Sequence, residues 1–166
     1  MPALLNSLIR YKAWANQLIF DTVLALPASE VEAPRPVLWG SIVRTLHHVY
    51  AMDKVWQAHL LGQPHGYTSR NPEFCPTLSQ LWADQQQLDA WYGDYAAQLS
   101  SPQAEEVVAF TYIGGGEGQM SRQDILLHVV NHGTYHRGHV SGLLYQIPVP
   151  SPTTDLPVYL REVAAG

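Results

Sequence analysis

The chain has a single cysteine in 166 residues. Cys75 has no second thiol to pair with, which excludes an intrachain disulfide and a dithiol redox pair, and its Pro-flanked setting reads as an ordinary loop cysteine. Charge is scarce as well: 14% of the residues are Asp, Glu, Lys or Arg, and 9 basic against 14 acidic side chains give a formal net charge of −5 with the histidines neutral. The basic residues are scattered rather than gathered into a stripe able to neutralise several phosphates, so nucleic acid is not an expected partner. Long apolar runs are missing too. Leu4, Leu5, Leu8 and Ile9 are interrupted by polar and charged residues, leaving neither a signal-peptide core nor a membrane span. A cytoplasmic protein with no membrane partner is expected, and no internal repeat or low-complexity tract is visible.

A hydrophobic fraction of 46%, five Trp and nine Tyr argue for a folded chain rather than a disordered one. The length fits one domain, residues 1–166, large enough to bury a core without a stapling metal. A bound metal would then serve chemistry.

Apolar residues at Leu4, Leu5, Leu8, Tyr11, Ala15, Leu18 and Ile19 follow the spacing of a helix with one buried face, ending at Leu26-Pro27. Ser41 caps a second helix carrying Ile42, Leu46, Val49, Trp56 and Leu60, which Gly62 and Pro64 stop. Residues 63–76 read as a long surface connection. Thr77 and Gln80 form a capping-box pattern for a third helix through Leu99, closed by Ser100 to Pro102. Val107 to Ile113 is β-branched and aromatic, and Gly114, Gly115 and Gly116 invite a turn, predicting a short hairpin. Ser121 and Asp124 open a fourth helix to about Gln146, and the Pro-rich tail is expected as an irregular strap. Together these predict an all-α, antiparallel four-helix bundle with a short β-hairpin before the last helix.

Eight histidines are many for this length, and His128, His132, His136 and His139 share one predicted helix. Alternating steps of four and three keep them in one narrow stripe at about 100° per residue. His132 and His136, one turn apart, can chelate one ion from a single helix. A third ligand should come from a facing helix. His48 borders the apolar stripe of the second helix, whereas His47 falls with Arg44, Ala51 and Lys54 on the side expected to meet water, so His48 is preferred. His59, near a helix end, and His65, in a loop, read as surface histidines.

The run Leu127-His128-Val129-Val130-Asn131-His132-Gly133-Thr134-Tyr135-His136-Arg137-Gly138 closely resembles the signature of the DinB-like superfamily of damage-inducible bacterial proteins. The resemblance extends to Tyr11 through Asn16, to Ser41 through Trp56, and to Asp155 through Glu162. It implies a four-helix bundle whose metal is held by one His of the second helix and two of the fourth, at His48, His132 and His136. Where the family pattern has Gln after the Arg-Gly pair, this chain has His139, which leaves open whether it is an outer donor or a fourth ligand. Arg137 is expected to hold helix ends or a neighbouring subunit, and Asn131 to satisfy buried backbone.

Three neutral imidazoles leave a coordination position open, the arrangement of catalytic rather than structural zinc, and they suit zinc or nickel. Branches of the resembled family include metal-dependent transferases and isomerases that use a low-molecular-weight thiol such as mycothiol or bacillithiol. The resemblance thus implies a small-molecule substrate or thiol as partner. A non-catalytic metal-binding stress protein and a metal-assisted hydrolase are the alternatives, and no residue spacing identifies a general base or names a catalytic residue. A homodimer is expected because Trp14, Trp39, Trp82 and Trp91 are numerous for so small a bundle.

Overall fold

The four periodic segments are helices in the structure, a computed structural model that describes residues 2–163. They are α1 (Pro2–Leu24), α3 (Ile42–Leu61), α4 (Leu78–Gln98) and α6 (Arg122–Gln146). Short helices α2 (Ala28–Glu32) and α5 (Ser101–Glu105) lie in the connections, strands β1 (Val107–Thr111) and β2 (Glu117–Ser121) precede α6, and α7 (Leu156–Glu162) follows it. The expected start signals operate as read. Ser41 accepts from the Arg44 N–H, Thr77 and Gln80 close a reciprocal capping box, and Ser121 accepts from the Asp124 N–H. Gly62 ends α3 in the left-handed conformation at φ 64°. The strands pair antiparallel, with Val107 opposite Ser121 and Thr111 opposite Glu117.

Two expectations for the connections are corrected. Ser100 does more than close α4: it opens α5 through its own capping box with Gln103. The tail is not wholly irregular, because Pro157 sits in the first turn of α7, where its missing N–H costs nothing. Tyr159 of α7 is buried against Tyr11 and Trp14 of α1.

The four helices form a bundle in which α1 packs on α4 and α6, and α3 packs on the same two. Antiparallel pairing joins α1 to α4, through Lys12–Asp89 and Phe20–Trp82, and α3 to α6, through His48–His132 and Trp56–His128. On the other two sides the helices run in the same direction, as the order of residues in the two core clusters shows. Parallel α3 and α4 need a connection as long as the bundle, and residues 62–77 supply it by lying back along α3.

One cluster buries Leu5, Ile9, Leu60, Leu88, Tyr92, Ile125 and Val129, and the other buries Ile19, Val23, Ile42, Leu46, Leu81, Val140 and Leu144. A polar layer separates them. Lys12 Nζ lies 2.8 Å from Asp53 Oδ2 and 2.6 Å from Asp89 Oδ1, Asn16 donates to Asp89, and Gln85 donates to both carboxylates. Arg137 completes it, donating to Asn16 Oδ1 and Thr134 Oγ1 with its guanidinium over the Tyr11 ring. Arg137 therefore joins α6 to α1 inside the chain, instead of holding helix ends or a second subunit, and Asn131 is exposed rather than buried. Lys12 and Arg137 balance Asp53 and Asp89, so the layer carries no net charge when all four are ionised.

Among the described residues, no helix is long and apolar enough to cross a membrane.

Candidate metal centre

Two adjacent residue rows on α6 explain where the centre lies. Gly133 and Arg137 face α1, and one residue behind them His132 and His136 face α3, because consecutive residues are turned about 100°. Glycine mid-helix costs up to about 1 kcal/mol relative to alanine. At position 133 a Cβ would stand 3.1 Å from Arg137 Nη1, so the guanidinium would have to give by a few tenths of an ångström, whereas 3.6 Å from Lys12 Cε is ordinary contact.

His48 meets the α6 pair from α3. One nitrogen from each of His48, His132 and His136 falls in a group whose members all lie within 4.8 Å of one another. The Nε2 atoms of His48 and His132 are 3.1 Å apart. Nitrogens about 2.0–2.1 Å from a tetrahedral zinc ion stand about 3.3–3.4 Å from one another, so this edge is already close to the required length. The protonation of His48 is also set. Its Nδ1 lies 2.6 Å from the carbonyl oxygen of Arg70, which can only accept, so Nδ1 carries the hydrogen and Nε2 presents a lone pair. Trp39 stacks on the same ring, with centroids 3.7 Å apart and planes 14° from parallel. His136 engages Nδ1 with Nδ1 of His139 at 3.2 Å, leaving its Nε2 for an ion. His139 thus acts on His136 from behind, and the three-nitrogen group does not include it. His132 Nδ1 is buried without a hydrogen-bond partner. Convergent neutral nitrogens of this kind fit a divalent cation.

Burial pushes the His132 imidazole down to about 2, with His136 and His48 nearby adding to the effect, and burial together with His48 and His139 lowers His136 to about 4. His48 is lowered as well, chiefly by burial. All three imidazoles are neutral at pH 7, as holding a metal ion would require. In the metal-free protein the unfolded chain takes up protons below about pH 6.5 that the folded imidazoles refuse, so stability is expected to fall as pH drops from 6.5 towards 4. Urea unfolding with chelator at pH 7 and pH 5 checks this, and a His132→Gln/His136→Gln double variant should show a flatter dependence.

The profile of the DinB family matches residues 1–164. The chain belongs to the DinB family. Protein DinB of Bacillus subtilis (strain 168) is 29% identical over 170 residues, covering 92% of this chain and 91% of that relative.

In this DinB-family chain the triad lies in the wall of a cavity of about 550 Å³. Leu38 and Trp39 line it from the loop before α3, Met52, Val55, Trp56 and His59 from α3, Arg70 from the crossover, and Phe110, Tyr112 and Ile113 from the hairpin. His128 also lines it, its ring stacked on His132 at 5.7 Å, outside the ligand group. Two histidine expectations are corrected. His47 is not on a watery side: it is buried, packed against Tyr50, on a flank where Arg44 binds Asn71 and the Glu73 carbonyl of the crossover. His59 and His65 are half-buried against one another, and His59 faces the cavity. Trp39, Arg70, Phe110 and Tyr112 were not legible as site residues, since all four lie outside the histidine-bearing helices.

Proposed function

We propose that this DinB-family protein binds one zinc or nickel ion per chain through His48, His132 and His136 and uses it in a transferase or isomerase reaction that directs a small thiol at a small electrophile. The observation that carries the reading is the convergence of three neutral imidazoles on the wall of a largely apolar cavity. When bound, the ion supplies the charge that makes a thiol acidic near neutral pH. The chain's own groups do the rest. Trp39 and the Arg70 carbonyl hold His48 in its ligating orientation, and the aromatic walls exclude water from the nucleophile. His128, kept neutral by burial, is positioned to take the thiol proton and return it to the departing group as the carbon–sulfur bond forms.

Elemental analysis is expected to find about one divalent ion per chain. After cobalt substitution, added thiols should produce an intense near-ultraviolet charge-transfer band. Turnover of epoxides or chlorodinitrobenzene by the same mixture should vanish in His136→Ala. A band without turnover would leave a non-catalytic metal-binding role; no band with any small thiol would end the thiol reading.

A cytoplasmic location suits this chemistry, since thiols are kept reduced there. The homodimer is retained on new grounds. The four tryptophans that suggested it are half-buried within their own chain, Trp82 on Phe20 and Trp91 on Tyr95. The solvent face of α6, however, runs through Leu127, Asn131, Thr134, Tyr135, Gly138, Gly142 and Tyr145 with no charged residue. Light scattering is expected to give twice the chain mass, and Gly142→Arg to halve it.

A further inference from the structure

The cavity has a directional lining. Starting from the triad, His128 leads to Trp56 at 4.8 Å between ring centroids, Trp56 to Phe110 at 5.0 Å, and Phe110 to Tyr112 at 5.1 Å. Phe110 is held in this row by its cross-strand partner Gly118, where an added Cβ would come within 2.6 Å of the ring. A row of ring faces and edges, in a cavity of about 550 Å³, suits a flat apolar body of one or two rings.

The charge on the lining has one sign. Among the described residues no Asp or Glu lines the cavity, and Arg70 is its one permanently charged side chain. Among the described residues the exposed Arg70 side chain makes no ion pair or side-chain hydrogen bond, which leaves its five donors free for a ligand. The backbone that carries it is fixed. The Arg70 carbonyl receives the His48 Nδ1 hydrogen, and the next residues of the crossover are tied to α3 by Arg44, which donates to Asn71 Oδ1 and the Glu73 carbonyl. An arginine whose backbone is anchored beside the triad, over an apolar wall, adds positive potential that favours an anionic group on a bound ligand.

We propose that the site selects ligands that are anionic aromatics: Arg70 binds a carboxylate or similar group, and the Trp56–Phe110 row holds the apolar body. The proposal deepens the metal-and-thiol reading and rests on it for the orientation of the ligand, with the reacting end at the triad.

The test uses cobalt-loaded protein, whose visible bands report the metal centre before any thiol is added, so that failure to load counts against the metal reading alone. In loaded protein, 4-mercaptobenzoate is expected to bind about tenfold tighter than 4-mercaptobenzamide, read from the charge-transfer band, because a charge-assisted hydrogen bond is gained. Arg70→Gln keeps the carbonyl that orients His48 and removes a charge that repels the ion, so cobalt should load at least as tightly as in wild type while acid and amide come to equal affinity. Phe110→Ala should weaken both probes alike. Should cobalt not load, 2-naphthoate and 2-naphthamide titrated by tryptophan fluorescence carry the same comparison. With either pair, equal binding of acid and amide to the wild type, or a preference for the acid that survives Arg70→Gln, overturns the proposal.

Discussion

Alanine at His132 or His136 is expected to weaken zinc binding by two to three orders of magnitude. Structural zinc sites bind with about 10–16 kcal/mol shared over four ligands, and each about 1.4 kcal/mol is a factor of ten. His48→Ala should cost as much, because it removes the one ligand that crosses from α3. His47→Ala is the informative control: its ring is buried but lies outside the ligand group, so it should lower thermal stability while leaving zinc affinity within about threefold. Titration of each variant against a chromophoric chelator reads the difference. Loss of affinity in His47→Ala with retention in His48→Ala would reverse the assignment of faces on α3.

Removing the ammonium of Lys12 is expected to have the largest effect on stability. Asp53 and Asp89 hold the Lys12 amine protonated, raising it against the burial that would lower it, and all three side chains are nearly or wholly shielded from water. Lys12→Met would leave two buried carboxylates facing one another without their shared cation. Breaking a buried ion pair from one side costs about 3–5 kcal/mol, a large part of the about 5–15 kcal/mol total of an ordinary domain. The pH dependence identifies the cause. Unpaired buried carboxylates have folded-state pKa values above their unfolded ones, so the folded variant gains protons as pH falls, and its deficit relative to wild type should shrink between pH 7 and pH 5. Urea unfolding at both values, wild type beside variant, gives the result. A deficit independent of pH would mean that lost packing of the lysine stem, rather than unpaired charge, dominates.

The polar layer was the part of the core that hydropathy patterning concealed. Lys12, Asn16, Gln85 and Asp89 look like solvent-facing residues when each helix is considered singly, and they are buried only because α1, α4 and α6 bring opposite charges and amides to one level. His47 misled for the related reason that residues 62–77 turn back over a flank of α3 that a lone helix would show to water. The short helices α5 and α7 were missed because Ser100 and Pro157 serve as stop signals and start signals alike.

What the sequence by itself determined are the features written in local chemistry: four long helices between identifiable caps, the glycine turn of the hairpin, and two histidines one turn apart on a single face of α6. Those follow from hydrogen bonds and periodicities spanning a few residues. The helical face of α3 also preferred His48 over His47 as a third ligand, and the likeness to the DinB family agreed with that choice. Only the tertiary structure decided which helices run side by side, that the crossover carbonyl of Arg70 fixes the His48 proton, and that Trp39, Arg70 and the hairpin rings wall the cavity. These contacts join residues distant in sequence, so they exist only once burial of the two apolar clusters has brought the elements together.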